Sequence, residues 1–250
     1  MANRVVQITI VSYFAVAVIG LIPVRAEALV NGRTLEGYPD LVRLVFKDGT
    51  MCTGAYINDT TILTAAHCLI KKNGEAFHAL EKTLSVNDRV LPVKHLENIQ
   101  HPKFDHGWWP AFDVGLIKTS KNDSFQGGFK ISRGPLSRSA SVTLLGCGIS
   151  SFDPRKRDRT VGENRFLRMG NVLLFLGPSE SGDSEVGRKT SVAPNDSGGP
   201  ILDAASGEII AISTQTTLVT SMKYRAPAVS VGTAVVGPEI SDFIQASLGE

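Results

Sequence analysis

Three short segments carry side chains whose types and order could support acyl transfer. Leu63-Thr64-Ala65-Ala66-His67-Cys68 ends an apolar run in a histidine. Phe112-Asp113-Val114-Gly115-Leu116-Ile117 opens an apolar run with an aspartate. Asn195-Asp196-Ser197-Gly198-Gly199-Pro200 sets a serine among residues that permit tight turns. A serine hydroxyl is a weak nucleophile until a base removes its proton. Neutral imidazole can do this near pH 7. A buried carboxylate can then fix the ring's tautomer and stabilise the imidazolium. Each residue also has a plainer reading: a strand-end histidine in a structural hydrogen bond, a turn-capping aspartate, an ordinary Ser-Gly-Gly turn. A zinc site built from His67, His101 and His106 is a further possibility, but no H-E-x-x-H or similar ligand spacing supports it. A nucleophile elbow would need G-x-S-x-G, and Asn195 stands at the first of those glycines.

The elements able to position these groups are short. Apolar stretches at 41–46, 61–65, 114–118, 142–145, 172–176, 209–214 and 228–231 are separated by the turn-prone pairs Asp48-Gly49, Asn58-Asp59, Asn87-Asp88, Gly127-Gly128 and Ser206-Gly207. That rhythm predicts an all-β sandwich or barrel. Helices do not alternate with the strands, which argues against a βαβ fold. One helix is expected at the end, starting near Pro238, where Ile240, Phe243, Ile244 and Leu248 recur at helical spacing. The basic run Arg155-Lys156-Arg157-Asp158-Arg159 reads as an exposed, nickable loop.

Composition narrows the compartment and the partners. A net charge of +2 gives no argument for a nucleic-acid partner. Residues 5–22 are almost continuously apolar behind the single charge of Arg4, and Ala26-Glu27-Ala28 fits a small-x-small cleavage site. We read residues 1–28 as a signal peptide and residues 29–250 as the mature domain. The alternative is an uncleaved membrane anchor. Cleavage would remove Arg4, Arg25 and Glu27 and leave a nearly balanced chain. The three cysteines, Cys52, Cys68 and Cys147, include no C-x-x-C pair, so a zinc ribbon or thioredoxin-type site is disfavoured. Export permits a disulfide.

Taken together, the three segments resemble the T-A-A-H-C, D-[IV]-[AG]-L-[IL] and G-D-S-G-G-P motifs of the trypsin/chymotrypsin-like serine protease family. His101-Pro102-Lys103-Phe104-Asp105 resembles that family's H-P-x-[FY]-[DN] segment. Ile212-Ser213 resembles its substrate-pairing strand, and Leu29-Val30-Asn31-Gly32 its mature amino terminus, I-V-G-G. The resemblance implies two six-stranded antiparallel β-barrels with a C-terminal helix. It implies a secreted endopeptidase with His67, Asp113 and Ser197 as its catalytic residues. The backbone N–H groups of Asn195 and Ser197 would form an oxyanion hole. A Cys52–Cys68 disulfide would lie beside the histidine, and the freed ammonium of Leu29 would pair with Asp196. Protein or peptide substrates, and protein inhibitors, are the partners it implies. It implies no cofactor, no metal and no membrane contact once the signal is removed.

The chain departs from the family pattern in places. No Arg or Lys immediately precedes Leu29, and Arg25 lies too far upstream for a zymogen cut. Signal peptidase acting after Ala28 would free Leu29 directly. Asn195 replaces the usual Gly before Asp-Ser. Cys147 takes the Trp position of G-W-G, and we read it as a buried thiol outside the bridge, with an intermolecular disulfide as the alternative. Alignment places Ser191, Gln215 and Ala228 in the specificity pocket. Ser191 is neutral where an aspartate would select Arg or Lys, and the wall residues favour a smaller apolar side chain. A catalytically weak homologue serving as a secreted binding module is the competing reading.

Overall fold

The computed structural model describes residues 29, 32–35, 37–70, 79–85, 88–105, 110–136, 140–148, 160–176, 190–217, 220–221, 224–225 and 229–249. The expected signal peptide, Val30, Asn31, His106, Ala228 and the basic run 155–159 lie outside these residues, as does the side chain of Gln215.

The strands run in chain order as β1 (Arg33–Thr34), β2 (Leu41–Phe46), β3 (Met51–Asn58), β4 (Thr61–Thr64), β5 (Leu80–Leu84), β6 (His95–Gln100), β7 (Gly115–Thr119), β8 (Ser141–Gly146), β9 (Thr160–Met169), β10 (Val172–Leu176), β11 (Pro200–Asp203), β12 (Ile209–Thr217), β13 (Thr220–Ser221), β14 (Tyr224–Arg225) and β15 (Val229–Ala234). They form two antiparallel halves and a small β13–β14 ribbon. The first half is a six-stranded sheet in the order β5-β2-β3-β4-β7-β6. The second runs β9-β10-β15-β12-β11-β8 and closes on itself through β8–β9, with β1 attached at β9. This is the expected pair of six-stranded barrel-like sheets, one half-open and one closed. Closure removes sheet edges in the second half.

The turn chemistry acts where the sequence placed it. Gly49 at φ +85° follows β2, and Gly207 at φ +72° precedes β12. Both occupy the left-handed region that side chains disfavour. The Asn58 side chain caps its turn by accepting from Thr60 N at 3.0 Å. Helix α1 (Pro238–Leu248) begins with Pro at its first turn and ends on Gly249 at φ +78°. Its Ile240 and Ile244 are fully buried, and Phe243 and Leu248 pack beside them. Strands β3, β5, β6, β9 and β11, and the two-residue β1, β13 and β14, were not among the apolar stretches read from the sequence. β6 has no fully buried residue, and in β9 Glu163, Arg165, Leu167 and Met169 are all exposed, so neither strand carries an uninterrupted apolar run.

Candidate active site

Pairing of β4 with β7 sets Thr64 opposite Gly115. Three residues beyond Thr64, His67 stands in a single 3₁₀ turn, Ala66–Cys68. Two residues before Gly115 stands Asp113. The register therefore delivers both side chains to one end of neighbouring strands. Gly115 has no room for a Cβ, which would meet Leu69 Cδ1 at 2.5 Å and Ala66 Cα at 3.2 Å. Its lack of a side chain lets the histidine turn sit against β7.

Asp113 is 5% exposed and holds the histidine twice. Oδ1 accepts from His67 N at 2.8 Å, and Oδ2 lies 2.6 Å from His67 Nδ1. A carboxylate there places the ring proton on Nδ1 and leaves Nε2 as the basic nitrogen. Burial opposes charge on the ring, but the Asp113 charge and hydrogen bond outweigh it and raise the His67 pKa above its ordinary 6.5.

Ser197 comes from the second half, on the loop leading to β11. Its carbonyl accepts from Thr53 N at 2.8 Å, so the loop is pinned to β3 of the first half. Gly198 N donates to Ser213 O at 2.7 Å, and Ser213 N donates to Gly199 O at 2.8 Å. Gly198 has φ +83°, and a Cβ there would run into Thr64 Oγ1 and Thr53 O. Only glycine fits this contact between the halves. The Cys52–Cys68 disulfide forms as the resemblance implied, across 16 positions. Closing a loop of that length contributes roughly 3 kcal/mol in the chain-entropy model. Cys68 Sγ lies 3.8 Å from His67 Nε2 and 3.8 Å from Ser197 O, so the bridge touches both halves of the site. A metal does not suit the neighbouring Cys52, His67 and Cys68 cluster, because both sulfurs are spent in the disulfide.

Asp196 is fully buried. Its Oδ2 accepts from Leu29 N at 2.9 Å and Ala193 N at 2.9 Å, and its Oδ1 from Gly148 N at 2.8 Å. The structure thus brings Leu29 and Asp196 together. Burial pushes the Asp196 carboxyl up to about 7, against the Ala193 and Gly148 amides and the Arg43 charge, which pull it down. Gly146 and Gly148 frame it. A Cβ on Gly146 would collide with the carboxylate, and one on Gly148 would come within 2.8 Å of it. That is the physical content of Gly-Cys-Gly. Cys147 itself is buried in the first core cluster, outside the disulfide.

Asn195 is half-buried with φ +73°, so it adopts the conformation the usual glycine supplies. Asparagine is among the few residues that tolerate it. Thr53 was not singled out in the sequence, yet it clasps this loop. Its Oγ1 donates to Asn195 O at 3.1 Å and accepts from Cys147 N at 3.0 Å. No composition or spacing signal marks a threonine for such a task; only its place after Cys52 hints at it. Ser191 is fully buried, and its hydroxyl has no hydrogen-bond partner among the described residues. His101, considered above as a metal ligand, is wedged between Phe112 and Phe243, each ring 4.9 Å away.

Comparison with known proteins agrees with this architecture. The trypsin family model matches residues 30–235, and the chain belongs to the trypsin family. Granzyme A of Bos taurus is 24% identical over 158 residues, 62% of this chain and 60% of that protein. Venom serine protease 34 of Apis mellifera is 31% identical over 133 residues, 45% of this chain and 31% of that protein. The chain thus spans less than two thirds of these curated relatives. Among solved structures, a Glu endopeptidase in complex with MPD superposes with a TM-score of 0.67 at 15% identity, covering 88% of this chain and 97% of that one. Neuropsin, a serine protease expressed in the limbic system of mouse brain, gives 0.61 at 17% identity, covering 87% and 98%. The fold is chymotrypsin-like.

Proposed function

We propose that the chain is an exported serine endopeptidase. Ser197 Oγ attacks the substrate carbonyl while its proton passes to His67 Nε2. Asp113 orients the ring and stabilises the imidazolium. The tetrahedral oxyanion is met by the N–H groups of Asn195 and Ser197, donors of a kind commonly worth a few kcal/mol each. Collapse returns the proton to the leaving amine and leaves an acyl-enzyme, which water opens by the same steps in reverse. The observation that carries this reading is the double hold of Asp113 on His67, at 2.8 and 2.6 Å.

Activation follows from Asp196. A buried carboxylate calls for a cation, and an ammonium at Leu29 would stand 2.9 Å away. Cleavage after Ala28 creates that ammonium, so export itself completes the site. Among the described residues no helix is long and apolar enough to cross a membrane. The neutral Ser191, with Gln215 and Ala228 assigned to the pocket wall, favours a small or medium apolar residue at the cleavage site over Arg or Lys.

A serine-directed fluorophosphonate probe and amino-terminal sequencing of the secreted protein test these points. The wild type should label, label only at Ser197, and begin at Leu29. Labelling that persists in Ser197→Ala overturns the nucleophile. A wild type that never labels would make the chain a binding module. A start elsewhere than Leu29 overturns activation by export, and a peptide-library profile dominated by Arg or Lys overturns the pocket reading.

A further inference from the structure

Arg43 is a buried cation that the proposed chemistry leaves unused. It sits mid-strand in β2 and is 3% exposed. Its Nη1 pairs with Asp88 Oδ1 at 2.9 Å. Its Nε points the other way and donates to Cys147 O at 2.9 Å, across the boundary between the halves. That carbonyl and the N–H of Gly148 belong to one peptide group, and Gly148 N donates to Asp196 Oδ1 at 2.8 Å. A guanidinium therefore rests on one end of a peptide dipole and a carboxylate on the other. Hydrogen bonds chained in this way polarise and strengthen one another in a low-dielectric interior.

We infer that Arg43 is a positioning residue: through the Cys147–Gly148 peptide it holds the Asp196 carboxylate, and with it the Asn195–Ser197 backbone, in the proposed catalytic arrangement. This rests on the reading that Ser197 and its neighbours do the chemistry. Ion pairing with Asp88 would not require Nε to face inward, because Asp88 is met at Nη1 and its side chain is 36% exposed. The groups facing Asp196 are the amides of Leu29, Ala193 and Gly148, with Arg43 the charged side chain that acts on it and Asp88 behind Arg43. A freed Leu29 would add an ammonium. On the far side of Ser197 stand His67 and Asp113.

The sign of the pH effect is fixed. The folded Asp196 titrates near 7, above its unfolded value of 3.8, so folding is penalised increasingly as pH rises between these values. Removing the Arg43 charge raises the folded value further and extends the penalty to higher pH. The stability gap between wild type and Arg43→Met should therefore be flat below about pH 6 and widen from pH 6 to 8.5.

The test measures thermal midpoints across this range in full-chain Ser197→Ala protein, which does not digest itself if the proposed chemistry holds. Arg43→Met, Arg43→Lys and Asp88→Asn are compared. A gap that widens for Arg43→Met, shrinks for Arg43→Lys and stays flat for Asp88→Asn supports the inference. A gap equal at all pH values, or one that Asp88→Asn reproduces, overturns it. If Arg43→Met does not fold, Arg43→Gln, which is uncharged but keeps a polar end, takes its place under the same criterion. In the Ser197 enzyme, Arg43→Met should lower kcat about tenfold and change KM less than threefold, with partial recovery in Arg43→Lys. A loss of kcat that Asp88→Asn reproduces overturns the role. Activity surviving Ser197→Ala would defeat the catalytic reading, while the stability gap would still report on Arg43 and Asp196.

Discussion

Two buried carboxylates, Asp113 and Asp196, sit in the two halves and are held by different means. Asp113 binds one residue, His67, through both its amide and its ring, and strand pairing within a single sheet brings the two together. Asp196 binds three amides from segments far apart in the chain, at Leu29, Gly148 and Ala193. The first arrangement is complete once β4 and β7 pair. The second needs the Leu29 segment, the end of β8 and the serine loop at once. Its charge balance also draws on Arg43 in the other half. A site divided this way has one part that strand pairing finishes and another that, on the proposed reading, a freed chain end finishes.

The largest expected effect falls on the self-contained part. Asp113→Asn should lower kcat by roughly 10⁴ because the ring loses the correct tautomer, with little change in thermal midpoint. A loss below tenfold would mean that His67 does not depend on Asp113. Next comes Asp196→Asn, which should cost about 10²–10³ in kcat, the scale of one misplaced oxyanion donor, with His67 still titrating as in the wild type. If His67 moved as well, the two parts would not be separable. Opening the bridge with Cys52→Ala and Cys68→Ala should lower unfolding free energy by roughly 3 kcal/mol, measured by urea denaturation. Thr53→Val keeps the shape but deprives Asn195 O and Cys147 N of a partner. It should cost about 1–3 kcal/mol and reduce probe labelling more than His67 titration.

The smallest effect is a shift of the acid limb of kcat/KM. On the proposed mechanism activity needs neutral His67, whose pKa is raised above its ordinary 6.5, so this limb should lie above 6.5 in the wild type. In Asp113→Asn the limb should move down. The same linkage makes the histidine's contribution to stability full below the unfolded value and lost as pH rises through the folded one.

The sequence made the reactive groups legible because their chemistry admits few substitutes, and because each stands beside glycines or apolar strands with a fixed register. Gly198 could be nothing else where Thr64 and Thr53 press on it. The strands around them were legible where large apolar residues cluster, as in β4 and β8, and hidden where Cys, Thr and Gly fill buried positions, as in β3. They were hidden too where exposed residues interrupt the run, as in β9. Thr53 and Arg43 were invisible for another reason. Their tasks arise from backbone atoms of Asn195, Ser197 and Cys147, and no side-chain pattern records where a carbonyl will point. The pocket wall at Gln215 and Ala228 lies outside the described side chains, so the specificity reading rests on Ser191.

Leu29 is completely enclosed in the second core, with its nitrogen fixed against Asp196. Such a socket counts residues. One residue more turns that nitrogen from an ammonium into an amide, and one fewer leaves Asp196 with only the Ala193 and Gly148 amides to meet. On the proposed reading, chains trimmed one position apart are different enzymes in one tube. The specific activity of a preparation then measures the fidelity of its trimming as much as the chemistry of its serine, and a purification tag placed before Leu29 would silence a well-folded protein.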